Sequence, residues 1–336
     1  MMKINYHSSH RNNVARMILL LSTFIGIVLI AGLLFGTVLL DIHPFTQTNS
    51  RANNLAAFVL ELRLNREVLA LCCGGMLATG SAILQGLTRN PMVAPDLTGM
   101  TSIGCLLIIL CEILHGSSPL MNIMLGIIGS MLGFLLCIYL AKKRQRLMVV
   151  LTGITISFTA TALIQLLMLK APDHISDFLQ FLNGSLYAAS SQTMVMLTGM
   201  TLILMPLVFV LGKRFLVFAL DEQTSRSIGV PFTAYQTSCF LVASMLIGSS
   251  LMGVGNMGFL GIVAPNIARY LCGQRPRYVF ALSFLIGGLL YLLADTLGRC
   301  LVSPAEIPAG IMTNMITAPI FLYVLFHFYR GQDGWN

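Results

Sequence analysis

The chain has 336 residues, of which 56% are hydrophobic and only 10% charged, with a mean hydropathy of +0.84 and a formal net charge of +8. Soluble domains carry about 25% charged residues, so this composition excludes them. No polar linker or composition shift divides the length into separate domains, which leaves one membrane domain over residues 1–336.

The N-terminal stretch, residues 1–16, is polar and basic and reads as a cytoplasmic tail. The apolar run Met17–Leu40 follows with no small-residue cleavage pattern, so it is expected to be a retained span. A bilayer core of about 30 Å takes about 20 apolar residues per helix. Nine further runs meet or approach that length: Val68–Leu87, Pro95–Leu114, Leu120–Ala141, Leu147–Leu169, Thr193–Leu211, Thr237–Met252, Phe259–Cys272, Tyr278–Leu297 and Ile311–Phe328. The expected fold is therefore an all-α polytopic membrane protein of about ten helices. Gly74 with Ala78, Gly75 with Thr79, and Gly129 with Gly133 recur at the spacing that lets membrane helices approach closely.

With ten spans and cytoplasmic termini, 15 Lys and Arg fall on the inside and 5 on the outside, the asymmetry that sets orientation in membranes. The net positive charge then needs no nucleic-acid partner; the basic loops face the cytoplasm and its lipid surface. The eight cysteines lie mostly within apolar runs and form no C-x-x-C, so neither a disulfide framework nor a metal site is expected. His7 and His10 belong to the solvated tail. The 20 methionines are spread through the spans as packing residues.

Four polar segments interrupt the apolar pattern. Gln85 to Asp96 holds Arg89, Asn90, Pro91 and Pro95, and its prolines forbid a continuous helix. Leu216 to Pro231 reads as a short amphipathic helix with Leu220, Thr224 and Ile228 on one face. Asp221 and Glu222 lie in its first turn, Arg226 follows, and Gly229 stands at the C-terminal cap. Such a helix fits either a lipid surface or a partner's groove. Gly255 to Arg269 contains Gly258, Gly261, Pro265 and Asn266, a poor helix by propensity. Finally, Asp295 stands four residues before Arg299, the favourable order for a helical ion pair, and Glu306, Pro308 and Gly310 follow. An acid near a span end is a functional candidate or a structural clamp.

In this order, the segments resemble the iron–siderophore and cobalamin permeases of type II ABC importers. That family's Arg-Leu-Pro-Arg is matched by Arg63-Leu64-Asn65-Arg66, and its Gln followed by Arg-Asn-Pro-Leu-Ala-x-Pro by Gln85 and then Arg89 to Pro95. Its Gly-Ser-Leu is Gly184-Ser185-Leu186, and its Leu-Gly-Val is Ile228-Gly229-Val230. The motif Gly-x-Ile-x-Phe-x-Gly-Leu-x-x-Pro-His-x-x-Arg is carried by Gly255, Met257, Phe259, Gly261, Ile262, Pro265, Asn266 and Arg269. The last motifs are carried by Ala294-Asp295, Arg299, Glu306, Pro308, Gly310 and Ala318-Pro319. The match covers nearly all the chain after the first span and is nearest the ferric-dicitrate and siderophore branch. Three positions depart from the pattern: Asn65 for proline, Asn266 for histidine and Asp221 for glycine. The first is expected to loosen a turn before the second span.

The resemblance implies ten helices, a second permease subunit (the same chain or a related one), two cytoplasmic ATPases that bind ATP and Mg, and a substrate-binding protein outside a bacterial inner membrane. It implies translocation of an iron(III) chelate along the interface of the two permeases, with a cobalamin or haem permease of the same family as the alternative. It also implies ATPase coupling through 216–236, on Leu220, Asp221, Glu222, Arg226, Ile228 and Gly229, and docking of the binding protein on Arg63, Arg66 and Arg299. Snorkelling to lipid phosphates is the other reading of those arginines. No G-x-x-x-x-G-K-[ST] occurs, so the chain supplies no ATP site and no cofactor of its own. A secondary transporter would carry ionisable groups deep in several spans, whereas Asp295 and Glu112 fall near span ends. An intramembrane enzyme would need a motif such as HExxH or GxSxG, and neither is present.

Overall fold

A computed structural model describes residues 2–34, 50–116, 118–141, 146–186, 189–215, 225, 227, 229, 231–255, 258–273, 275–302 and 305–330. Among these the chain is helical throughout, with no strand. The helices are α1 (Met2–Leu34), α2 (Ser50–Thr88), α3 (Met100–His115), α4 (Pro119–Ala141), α5 (Arg146–Lys170) and α6 (Ile175–Leu182). They continue as α7 (Ser191–Phe215), α8 (Phe232–Val254), α9 (Leu260–Cys272), α10 (Pro276–Leu301) and α11 (Ala309–Arg330). Among the described residues seven are long and apolar enough to cross a membrane, and α3, α9 and the first part of α11 are shorter apolar helices. Together these are the ten expected crossings; α6 is a short addition between α5 and α7.

Two boundaries differ from expectation. Helix α1 runs from Met2, so the polar tail continues the first span's helix. Helix α2 begins at Ser50, far before Val68. Residues 63–66 are therefore not a turn. Asn65 keeps the backbone N–H that proline would remove, and its side-chain amide donates to Ser191 Oγ at 2.9 Å.

Helix α2 forms the axis of the bundle, and its apolar stretch is almost wholly buried while Phe58, Glu61 and Leu62 near its start are exposed. Without a hydrophobic drive between helices in lipid, close backbone approach supplies the packing. A Cβ at Gly287 of α10 would collide with Ala78 Cβ and the Gly74 carbonyl of α2, and one at Gly288 with Leu71. Gly129 and Gly133 of α4 lie on Gly104 and on Gly99–Met100, and Gly126 meets Gly248 of α8. The small-residue spacing thus marks contact faces; their partner glycines on α10 and α8 complete them.

Candidate functional site

At one end of the bundle, the α2–α3 connection is closed by Pro91. Helix α2 ends in a paired cap: Arg89 N–H donates to Gly86 O at 3.2 Å and Asn90 N–H to Gln85 O at 3.1 Å. This is a Schellman arrangement, which needs a left-handed residue just past the helix. Arg89 occupies that place with φ 51°, at a cost of about 1–2 kcal/mol for a side chain with a Cβ. Asn90 Oδ1 then accepts from Met92 N–H at 3.0 Å, and a 3-10 turn, Asp96–Thr98, leads through Gly99 into α3.

Helix α9 clasps this connection. Gln85 Nε2 donates to Gly261 O at 3.2 Å, and Asn266 Nδ2 donates to Pro91 O at 3.0 Å. Arg269 Nη1 donates to Asn266 Oδ1 at 3.0 Å, fixing the amide that reaches Pro91. The first and third polar segments thus form one clamp. Asn266 fills the family's histidine position because the clamp needs a side chain that donates to a carbonyl and accepts from an arginine, and a carboxamide does both. Pro265 lies inside α9, and Gly261 packs against Ser81 and Pro95. Gly229, in the second segment, is left-handed with φ 76°, as a cap requires. Leu220, Asp221, Glu222, Arg226 and Ile228 lie outside the described residues.

At the other end of the bundle, six charged side chains from α2, α10 and the following loop form one network. Arg66 Nη2 donates to Asp295 Oδ1 at 2.9 Å and its Nη1 to Glu306 Oε2 at 2.8 Å. Arg299 Nη2 binds Glu67 Oε1. Arg299 Nε lies 3.0 Å from Asp295 Oδ2, the expected i,i+4 ion pair, although its angle leaves both atoms without a hydrogen bond among the described residues. Arg63 Nη1 donates to Leu33 O at 2.7 Å, and Arg299 Nη1 to Gly32 O at 3.3 Å. The last carbonyls of α1, which have no intrahelical partners, are thereby answered by two cations placed favourably for the helix dipole.

Glu67, Asp295 and Arg299 are each 3% exposed or less, and Arg63 is 6% exposed. Three guanidiniums face three carboxylates, so the formal charge of the network is zero. The three arginines expected to dock a binding protein, Arg63, Arg66 and Arg299, are thus engaged within this chain. Arg63, Arg66 and Arg299 answer carboxylates and helix carbonyls, and of the six side chains only Arg66 and Glu306, with side chains 13% and 22% exposed, reach the rim. Sequence reasoning missed Glu67, a further acid within a span helix; its i,i+4 spacing from Arg63 was the available signal.

The remaining motif residues also meet at this end. Gly310 N–H and Tyr291 Oη both donate to Gly184 O, at 3.1 and 2.7 Å. A Cβ on Gly310 would strike the Asn183 carbonyl, and Pro308 O accepts from Ile311 and Met312 N–H to start α11. The Gly-Ser-Leu and Glu-x-Pro-x-Gly segments are therefore two sides of one contact. Among the described residues no group of three or more His, Cys, Asp or Glu is arranged for a metal.

Comparison with known proteins assigns this arrangement. The model of the FecCD transport family matches residues 20–327. The Fe(3+)-citrate import system permease protein YfmE of Bacillus subtilis (strain 168) is 34% identical over 270 residues, covering 80% of this chain and 81% of that one. The Fe(3+) dicitrate transport system permease protein FecD of Escherichia coli (strain K12) is 31% identical, over 80% of this chain and 84% of its own length. Among solved structures, an inward-facing conformation of a "metal-chelate type ABC transporter" superposes with TM-score 0.78 at 26% identity, covering 93% of this chain and 99% of that one.

Proposed function

Since the chain belongs to the FecCD transport family, we propose that it carries an iron(III) chelate, of the citrate or siderophore class, across the bacterial cytoplasmic membrane as the permease of an ATP-driven importer. It is a transport subunit and not an enzyme, and it works with a partner permease and a separate ATPase. The observation that carries the chelate assignment is the agreement of the family match with the order of the motifs, which gather into a clamp at one end of the bundle and an ion network at the other.

The finer architecture is part of the same proposal. Two permeases, as copies or as related chains, pair with two ATPases inside and one substrate-binding protein outside, with both termini cytoplasmic. Helix α5 supports the pairing. It exposes the Gln165 amide, and an amide without a partner in hydrocarbon costs several kcal/mol. That side of α5 therefore abuts a wet path or a second permease. Residues 216–236 meet the ATPase. The binding protein docks at the rim of the outward network, where its carboxylates exchange with Glu306 for Arg66, while Arg63 and Arg299 hold the frame behind it.

Reconstitution tests this. Proteoliposomes holding the permeases, ATPases and binding protein should take up iron supplied as ferric citrate or as a ferric siderophore only when ATP is inside. Cobalamin and haem at equal concentration should not compete. Uptake by the permease alone under an ion gradient would overturn the proposal, and uptake of cobalamin in preference to iron chelates would move the substrate within the family.

A further inference from the structure

A second outward feature takes no part in the network. A cavity of about 450 Å³ opens among α3, α4, α6, α7 and α8, within the usual range for small-molecule pockets. Its buried lining is apolar, with Leu69, Ile109 and Phe178 each 5% exposed or less. Its exposed lining carries the carboxylates of Glu112 and Asp177 beside His174 and Gln180. Asn122, 8% exposed, also lines it, and its Oδ1 has no hydrogen-bond partner among the described residues. A buried acceptor left without a donor costs about 1–3 kcal/mol, so this oxygen is the place for a donor carried by a bound molecule.

The surroundings select the kind of donor. Two carboxylates repel anions, and the donor types needed for a metal ion are not grouped here among the described residues. The positive ends of α4 and α7 are already answered by their caps: Ser118 Oγ accepts from Met121 N–H at 3.3 Å and Ser190 Oγ from Thr193 N–H at 3.1 Å. The carbonyl ends of α3 and α8 arrive at the same place and favour a cation.

We propose that this cavity binds a primary ammonium group carried on an apolar stem. The ammonium donates to Asn122 Oδ1, Glu112 and Asp177 balance its charge, and the stem lies on Leu69, Ile109 and Phe178. A free small amine and a lysine side chain of a docked protein share that chemistry. The site goes beyond chelate transport and does not depend on which chelate is carried.

The test uses the assembled transporter in nanodiscs, with n-butylammonium as probe and saturation-transfer NMR as readout. Butylammonium should show saturable binding, and n-butanol at the same concentration should show none. Asn122→Leu should weaken binding about tenfold, the loss of one hydrogen bond to a charged group, and Asn122→Asp should strengthen it. The pair Glu112→Gln with Asp177→Asn alters only exposed side chains and should weaken binding about fivefold; it decides the matter if Asn122→Leu fails to assemble. Displacement of the probe on adding the substrate-binding protein assigns the ammonium to a docked lysine, and retention assigns it to a free amine. Equal binding of butanol and butylammonium, or unchanged affinity in the carboxylate pair, overturns the proposal.

Discussion

At the scale of single residues, burial changes what an ion pair does. Asp295 and Arg299 alone, as a helical pair at a membrane edge, would be worth about 0.3–0.5 kcal/mol. In the structure Asp295 is 2% exposed and also binds Arg66, so removing its charge strands two guanidiniums in a poorly solvated place. Breaking a buried pair from one side costs about 3–5 kcal/mol. Asp295→Asn should therefore lower the melting temperature of the purified permease strongly, and Glu67→Gln similarly through Arg299. The pH profile of uptake by whatever Asp295→Asn protein assembles should match the unaltered one, because the carboxylate holds α10 to α2 and moves no proton. A shifted profile would restore the ion-coupled alternative. Asn266 gives the complementary case at the other end of the bundle. Asn266→Ala loses the bond to Pro91 and leaves Arg269 short of an acceptor, at a cost of about 1–3 kcal/mol. Asn266→His can supply both bonds and should retain uptake close to the unaltered level, measured in the same vesicles.

At the scale of elements, the approach of α2 to α10 depends on absent side chains. Gly287→Ala sets a methyl against the Gly74 carbonyl and Ala78, where neither backbone can retreat without separating the helices. A loss of about 1–3 kcal/mol is expected, as for other overpacked cores, read as lower thermal stability in detergent. Gly26→Ala on α1, whose added Cβ meets nothing within 4 Å, serves as the tolerated control. Half of this contact was legible in the sequence. Gly74 and Ala78 stand at a packing spacing, but that spacing names no partner, and Gly287 and Gly288 are found only once two helices far apart in the chain meet. The start of α2 was illegible for a related reason. Arg63, Arg66 and Glu67 end the apolar run that a window of residues detects, while the groups that answer them lie on α1, on α10 and in the loop after α10. A polar helix inside a membrane protein looks like a loop until its tertiary counter-charges are counted.

At the scale of the whole molecule, the ten long or shorter apolar helices followed from composition, because lipid leaves backbone few alternatives to helix. Motif order carried the transport class, since separated segments had to meet at two ends of one bundle. What sequence could not supply was how energy from a separate ATPase enters, and Gly229 offers the sharpest test of it. Its φ is 76° and a Cβ there meets nothing within 4 Å, so any substitution acts through backbone strain and not through a clash. Valine resists the left-handed region, at a cost of at least about 1–2 kcal/mol, whereas asparagine tolerates it well. If 216–236 transmits ATPase motion, Gly229→Val should leave insertion and ATP hydrolysis near normal while lowering chelate uptake per ATP several-fold, and Gly229→Asn should restore most of that ratio. Measured in one vesicle preparation, uptake and phosphate release separate the cases. Equal ratios in all three proteins would place coupling elsewhere in the chain, and a parallel fall of both activities in the valine protein would mark Gly229 as a folding residue only.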